Sequence, residues 1–235
     1  QWAECMARCQ IMAGLQPGDA IQIMPTFGLF NGGFGFYHGA RRAGLFAVPA
    51  SSGNTARQIM LMRDFKVKGM GAVVSYAARI IELLDEKGLE LPDLKIGIFG
   101  AESFSDEMRK RVETRLGIKA FDIYGMTETG GVGTTGMDCE ARCGIHVWED
   151  QYLTEIVDPQ TGATVPDGAV GEVVFTSLTR ESIPVIRYRT RDLTRIASRE
   201  RCACGRTSLR IDRIMGRCDD MLIVKGVNFF PKQVE

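Results

Sequence analysis

Long apolar runs are missing from this sequence. None approaches the length that crosses a bilayer, and the opening "QWAECMARCQ" lacks a secretory signal pattern. An excess of either charge is missing too. Lys+Arg 29 balance Asp+Glu 29, so composition points to neither a nucleic acid nor a membrane surface as partner. No internal repeat and no low-complexity tract interrupts the chain. The first residue is not Met, and "FFPKQVE" stops where an amphipathic segment begins, so an internal piece of a longer protein is expected. Seven cysteines, an odd number, speak against a disulfide framework and for free thiols or a metal site. What remains is ordinary globular material: 45% hydrophobic and 25% charged over 235 residues, enough for one large or two small domains. The chain reads as cytoplasmic.

Its organisation changes near residue 145. Before that point strands and helices alternate. "WAECMARCQIMAG" has helical apolar spacing and "DAIQIMP" reads as a strand, as does "LFAVPAS", which leads into the helix "TARQIMLMRDF". "GAVVS" precedes the helix "YAARIIELLDEKG", and "KIGIFGAES" precedes "SDEMRKRVETRLG", with Ser105 as a candidate N-cap and glycines as stops. This alternation predicts an α/β fold with a buried parallel sheet flanked by helices. Beyond residue 145, "YLTEIVDPQTGATVPDGAVGEVVFTSL" reads as two strands around a Pro/Gly/Asp-rich turn, followed by further short β segments through Ile196. That part is expected to be an antiparallel, barrel-like β subdomain. The expected divisions are 1–145, 146–217 and 218–235.

Two glycine-bearing stretches, "FGAES" (99–103) and "YGMTETGG" (124–131), fall at predicted strand ends. Ligands of open parallel sheets sit at the carboxyl ends of strands, so both stretches are expected to line one crevice. A single such turn is ordinary connecting structure. Two at one edge, one carrying a ring, a hydroxyl and a carboxylate, point to a nucleotide. The ring can stack on a base, the hydroxyl and backbone N–H groups can hold a phosphate, and the Glu suits Mg²⁺.

Taken in order, "YGMTETGG", "GEVVFTSL" (171–178), "VIRYRTRD" (185–192) and "GRCDDMLIVKGVNFFP" (216–231) resemble the adenylate-forming enzymes. Within them, "EIVDPQTG", "FTSLTRESIPVIRYRTRDLTR" and "GRCDDMLIVKGVNFFPKQVE" are similar to the phenylacetate–coenzyme A ligase family. The resemblance covers essentially the whole chain and implies part of such an enzyme's large N-terminal domain. It implies ATP, Mg²⁺, coenzyme A and a small aryl carboxylic acid as partners, with an acyl-adenylate as intermediate. It also implies roles. Tyr124 stacks on adenine, with Gly100, Ala101 and Glu102 along the base edge. Asp122 and Gly125 complete the nucleotide set around Tyr124. Thr127 touches the α-phosphate and Glu128 holds Mg²⁺, which makes these two the catalytic candidates. Asp192 accepts the ribose hydroxyls, Arg217 approaches ribose or phosphate, and Asp219 is the hinge to a small C-terminal domain. Read without those motifs, Asp192 and Arg217 are ordinary surface charges.

Two parts of the family pattern do not occur here. "ASSGNT" (50–55) follows a strand too late to be the family's phosphate loop, and Lys225 is not its catalytic lysine. The chain alone is expected to bind AMP weakly and to make no thioester. In "MPTFGLFNGGFGFYHGARRAG" (24–44), Phe27 is the candidate wall of the acyl pocket, and His38 is read as structural. Aromatic runs of this kind are more often core.

Of the cysteines, "DCEARCGIH" supplies Cys139, Cys143 and His146, and "RCACG" supplies Cys202 and Cys204. On spacing alone they are small core residues or reduced thiols, since Cys-x-Cys is a weak metal signal. The family resemblance implies that the two stretches pair. That makes Cys139, His146, Cys202 and Cys204 a candidate structural Zn²⁺ site with Cys143 as a spare thiol, and it stays open whether Cys143 replaces one of the four. Three functions compete: an aryl-acid–coenzyme A ligase, an adenylating enzyme for another aryl acid or a carrier protein, and a non-catalytic nucleotide- or zinc-binding module. A homodimer is left open.

Overall fold

The computed structural model describes residues 1–29, 31–103, 105–219, 221–224 and 227–229. Lys225 and the closing 230–235 lie outside the described residues, so much of the expected 218–235 segment does too.

The first half alternates as its sequence suggests: α1 (Trp2–Met12), β1 (Ala20–Ile23), α2 (Gly32–Arg42), β2 (Phe46–Val48), α3 (Thr55–Asp64), β3 (Gly69–Ala72), α4 (Val74–Lys87), β4 (Ile96–Phe99), α5 (Asp106–Leu116) and β5 (Lys119–Tyr124). The β2, β1, β3, β4 and β5 strands pair in parallel in that order. Both faces are covered by helices, which is why β1, β3 and β4 are buried at every position. Local chemistry sets the helix ends. Ser105 Oγ accepts from Met108 N at 3.1 Å, Asp106 and Glu107 fill the first turn of α5, and Gly117 ends it at φ 64. "ASSGNT" starts α3, with Asn54 Oδ1 accepting from Arg57 N at 3.0 Å.

One strand differs from expectation. β3 is "GMGA", not "GAVVS"; Val73 caps α4 and Val74 begins it. Glycine has little β preference of its own, so the pattern concealed the strand. Packing supplies the reason for it, because a Cβ on Gly71 would meet the Phe36 ring at 2.6 Å. Gly39 does the same for helix packing: a Cβ there would lie 2.5 Å from Met6 Cβ, so its absence lets α2 press against α1.

The second half is antiparallel: β6 (Gly136–Asp138), β7 (Ile145–Val147), β8 (Tyr152–Val157), β9 (Gly171–Ser177), β10 (Tyr188–Thr194), β11 (Ile196–Ser198), β12 (Arg210–Ile211), β13 (Gly216–Arg217), β14 (Leu222–Val224) and β15 (Val227–Phe229). A four-stranded sheet runs β13-β10-β9-β8, and β14 pairs with β15. The remaining strands extend the parallel sheet to nine, in the order β11-β12-β7-β6-β5-β4-β3-β1-β2. Pairing thus turns antiparallel at β5–β6, and position 145 opens β7 inside that sheet. The expected division at 145 therefore does not coincide with a sheet boundary, because residues 196–211 return to pair with β7. Among the described residues, no helix is long and apolar enough to cross a membrane.

Candidate functional site

β4 and β5 lie side by side in register, Phe99 opposite Asp122, so the stretches that follow them are neighbours at the carboxyl edge. After β4, Gly100 is buried and Ala101 takes a left-handed φ of 65. Glu102 then turns back. Its carboxylate accepts from Ser75 N at 3.0 Å and Ser75 Oγ at 2.9 Å, closing the first turn of α4. Its present contacts are thus those of a latch between two strand-end loops, which an acidic residue near a helix N-terminus does well.

The loop after β5 is compact. A Cβ on Gly125 would meet Gly131 O at 2.5 Å and Gly133 N at 2.7 Å, and Gly130 and Gly131 adopt φ of 111 and 129. Outside groups fix its carbonyls. Trp2 Nε1 donates to Val132 O at 3.1 Å, Trp148 Nε1 donates to Gly133 O at 3.0 Å, and the Tyr152 hydroxyl donates to Thr129 O. Both tryptophans of the chain are spent on this loop. Sequence reading missed them, since an indole N–H announces no partner. The result is a rigid support on which Thr127 and Glu128 stand exposed.

Asn31 was missed as well. It immediately precedes α2, and its amide reaches the same loop: Nδ2 donates to Thr127 Oγ1 at 2.6 Å, and Oδ1 accepts from Val132 N at 3.3 Å. Beside it, Phe27 packs edge-on against Phe34 and Tyr37, with ring centroids 5.4 and 6.3 Å apart. His38 is exposed, stacked on Phe34 and edge-on to Tyr37 and Trp2.

A polar chain closes the other side. The Tyr124 hydroxyl donates to Asp192 Oδ2 at 2.6 Å, Arg217 NH1 donates to Asp192 Oδ1 at 2.6 Å, and Arg217 grips Asp219 through Nε and NH2 at 2.7 and 2.8 Å. A bulge places Asp192: pairing of β10 with β9 shifts register between Arg189 and Leu193, where Arg191 has φ 67. Buried Glu172 holds that bulge, accepting from Arg191 N at 2.9 Å and Arg189 Nε at 2.9 Å. Burial raises the Asp192 pKa, and the Tyr124 and Arg217 bonds oppose it. The same burial, next to the Asp192 carboxylate, holds the Tyr124 phenol well above its ordinary value. Each carboxylate oxygen of Asp192 keeps acceptor capacity beyond its present donor.

Beneath the loop, Arg109 NH1 donates to Asp138 Oδ2 at 2.7 Å, and Asp138 Oδ1 accepts from Asp122 N at 2.9 Å. Burial, then the Asp138 charge, pushes Asp122 up to about 7 against the opposing Arg109 and Arg213 cations. A raised carboxyl favours the fold most at low pH. Its contribution is full below the ordinary carboxylate range and is lost as pH rises through about 7. Asp122→Asn is therefore expected to remove a downward slope of up to about 1.4 kcal/mol per pH unit below that point, gaining on the unsubstituted protein toward pH 8. Denaturant unfolding at pH 5, 6, 7 and 8 checks this, and parallel curves for the two proteins count against it.

The second cluster lies where β7 and β12 meet. Ligand atoms of Cys139, His146, Cys202 and Cys204 all lie within 4.8 Å of one another. Cys139 Sγ is 3.7 Å from Cys202 Sγ, and Cys204 Sγ is 3.5 Å from His146 Nε2. The other imidazole nitrogen, Nδ1, is 2.9 Å from Ser208 Oγ, an outer contact that fixes the ring. Cys143 stands beside them, 3.4 Å from Cys202 Sγ and 2.7 Å from the donating Arg210 NH1. Three sulfurs and one imidazole form the donor set that Zn²⁺ prefers.

The architecture is that of the adenylate-forming ligases. A 2-hydroxyisobutyryl-CoA ligase crystallised with 2-HIB-AMP and CoA in the thioesterification state superimposes with a TM-score of 0.91 at 30% identity, over 99% of this chain and 50% of that one. The chain belongs to the AMP-binding enzyme family, which it matches over residues 3–179. Phenylacetate-coenzyme A ligase of Pseudomonas putida is 45% identical over 237 residues, spanning 100% of this chain and 53% of that protein. The enzyme of the same name from Escherichia coli (strain K12) is 46% identical over 238 residues, with the same shares covered. The chain thus spans about half the length of the curated relatives it matches.

Proposed function

We propose that the protein carrying this chain is an ATP-dependent coenzyme A ligase for an aryl carboxylic acid, phenylacetate or a close relative. A carboxylate is a poor acyl donor until one oxygen leaves with a stabilised group. In the first step a carboxylate oxygen bonds to the α-phosphorus of ATP and the bond to pyrophosphate breaks. In the second, the coenzyme A thiol gives up its proton to solvent, its sulfur bonds to the acyl carbon, and AMP departs with that oxygen. Adenylation takes no proton from the ionised acid, so that step requires no base beside the carboxylate, which suits His38 packing against the Phe34 and Tyr37 rings.

In this reading Tyr124 lies against adenine beside the Gly100–Ala101 turn, Asp192 accepts from the ribose, Arg217 steadies Asp192, and Asp219 marks the hinge. Thr127 donates to the α-phosphate. Glu128, an exposed carboxylate on the same loop, is the type of oxygen donor that would hold Mg²⁺, which would neutralise phosphate charge. Phe27 borders the acyl side. Cys139, His146, Cys202 and Cys204 would hold a structural Zn²⁺ that pins β7 and the connection after β6 to the segment between β11 and β12. The observation that carries the reading is the convergence, at the carboxyl end of β5, of the Tyr124–Asp192–Arg217 chain reached from β10 and β13 with the exposed Thr127–Glu128 pair.

The test is thioester formation by the full-length protein with ATP, Mg²⁺, coenzyme A and a panel of acids. Turnover is expected with phenylacetate or a close aryl analogue, well above that with short aliphatic acids. Preference for an aliphatic acid removes the aryl assignment, and no thioester from any acid removes the ligase.

A further inference from the structure

We propose that Asn31 is a positioning residue that sets the direction of the Thr127 hydroxyl proton. The inference rests on the reading of Thr127 as a phosphate contact.

Asparagine is among the favoured helix N-caps, yet Asn31 makes no side-chain bond to the helix it precedes. Its amide instead crosses to residues about a hundred positions away, Thr127 and Val132. Which end of the amide faces which partner is decided by chemistry. The Val132 backbone N–H can only donate, so the atom facing it is the amide oxygen, Oδ1. Nδ2 then faces Thr127 and can only donate, which makes Thr127 Oγ1 the acceptor at 2.6 Å. A hydroxyl has one proton. With a lone pair occupied by Asn31, that proton is free to point away from α2, toward the open side of the loop where Thr127 is exposed. An anionic phosphate oxygen arriving there meets a donor already turned toward it. Rotating a misdirected hydroxyl would otherwise be part of each adenylation.

The placement has a second consequence. Asn31 lies between Phe27 and Phe34, whose rings touch edge-on. One residue therefore joins the aromatic segment beside the acyl side to the phosphate-facing hydroxyl.

Asn31→Asp is the informative substitution. Its carboxylate still accepts from Val132 N, but toward Thr127 it offers only an acceptor. It therefore captures the hydroxyl proton and reverses the bond with little change in shape. In the full-length protein, acid-dependent ATP–pyrophosphate exchange reads the adenylation step alone. Asn31→Asp and Thr127→Val are each expected to lower its kcat by about ten- to a hundredfold, the range for one hydrogen bond to a charged group, with the KM for the acid little changed. Combining Asn31→Ala with Thr127→Val is expected to be no worse than Thr127→Val alone, because both act through one hydroxyl. Thr127→Val without effect overturns the phosphate reading. A damaging Thr127→Val beside a fully active Asn31→Asp overturns this inference and leaves that reading standing. So do strictly additive losses, or an Asn31→Asp loss matched by an equal fall in thermal stability, since these mark Asn31 as scaffold only.

Discussion

Asp192→Ala in the full-length protein is expected to weaken ATP and AMP binding about a hundredfold. The substitution removes an ionised acceptor proposed to take two ribose hydroxyls. Hydrogen bonds to charged groups contribute about 1.5–3 kcal/mol each, and roughly 3 kcal/mol in total corresponds to that loss. The structure adds a second consequence. Tyr124 loses the partner of its hydroxyl, whereas Arg217 keeps both bonds to Asp219, so no buried cation is stranded. A modest fall in stability of about 1 kcal/mol therefore accompanies the loss of binding. Asp192→Asn separates the two effects. Its amide can keep the Tyr124 bond while losing the charge, so stability is expected to recover more than affinity does. Isothermal calorimetry with AMP checks this; unchanged affinity in a folded Asp192→Ala protein takes Asp192 out of the site.

Removal of the proposed zinc is expected to have the largest effect on stability. Structural Zn²⁺ contributes on the order of 10 kcal/mol to small zinc modules. Here the donors lie on or beside strands already joined by the pairing of β7 with β12, so the share is smaller. A loss of several kcal/mol lowers the melting temperature of a chain this size by about 10 °C. Elemental analysis of protein purified without chelator is expected to give about one zinc per chain, and Cys202→Ser combined with Cys204→Ser to abolish it. The adjoining loop should loosen too, because Trp148 follows β7 directly and donates to Gly133 O. Increased hydrogen exchange across 126–135 in the metal-free protein is the local readout. Metal-free protein of unchanged melting temperature, with Cys143 and its neighbours as reduced thiols, refutes the site.

What the sequence determined by itself is local. Helix starts and stops are written in short-range chemistry, as Ser105 with its acidic first turn and the glycines at 88 and 117 illustrate. The parallel strands at 20–23 and 96–99 declare themselves by largely apolar runs at predictable spacing. The "YGMTETGG" loop is legible because its residue types are unusual for a connection. Tertiary structure decided the remainder. β3 is a strand because neighbours on both sides pair with it, although "GMGA" has no strand preference of its own. Residues 196–211 rejoin the large sheet because β7 offers an unpaired edge, which no local pattern records. The aim of Asp192 depends on a bulge held by Glu172, nineteen residues from the N–H it accepts. The supports of the glycine loop, Trp2, Trp148, Tyr152 and Asn31, are ordinary core or capping types in the sequence. A hydrogen bond between positions far apart in the chain has no periodicity and no motif. Only the fold brings its two ends together.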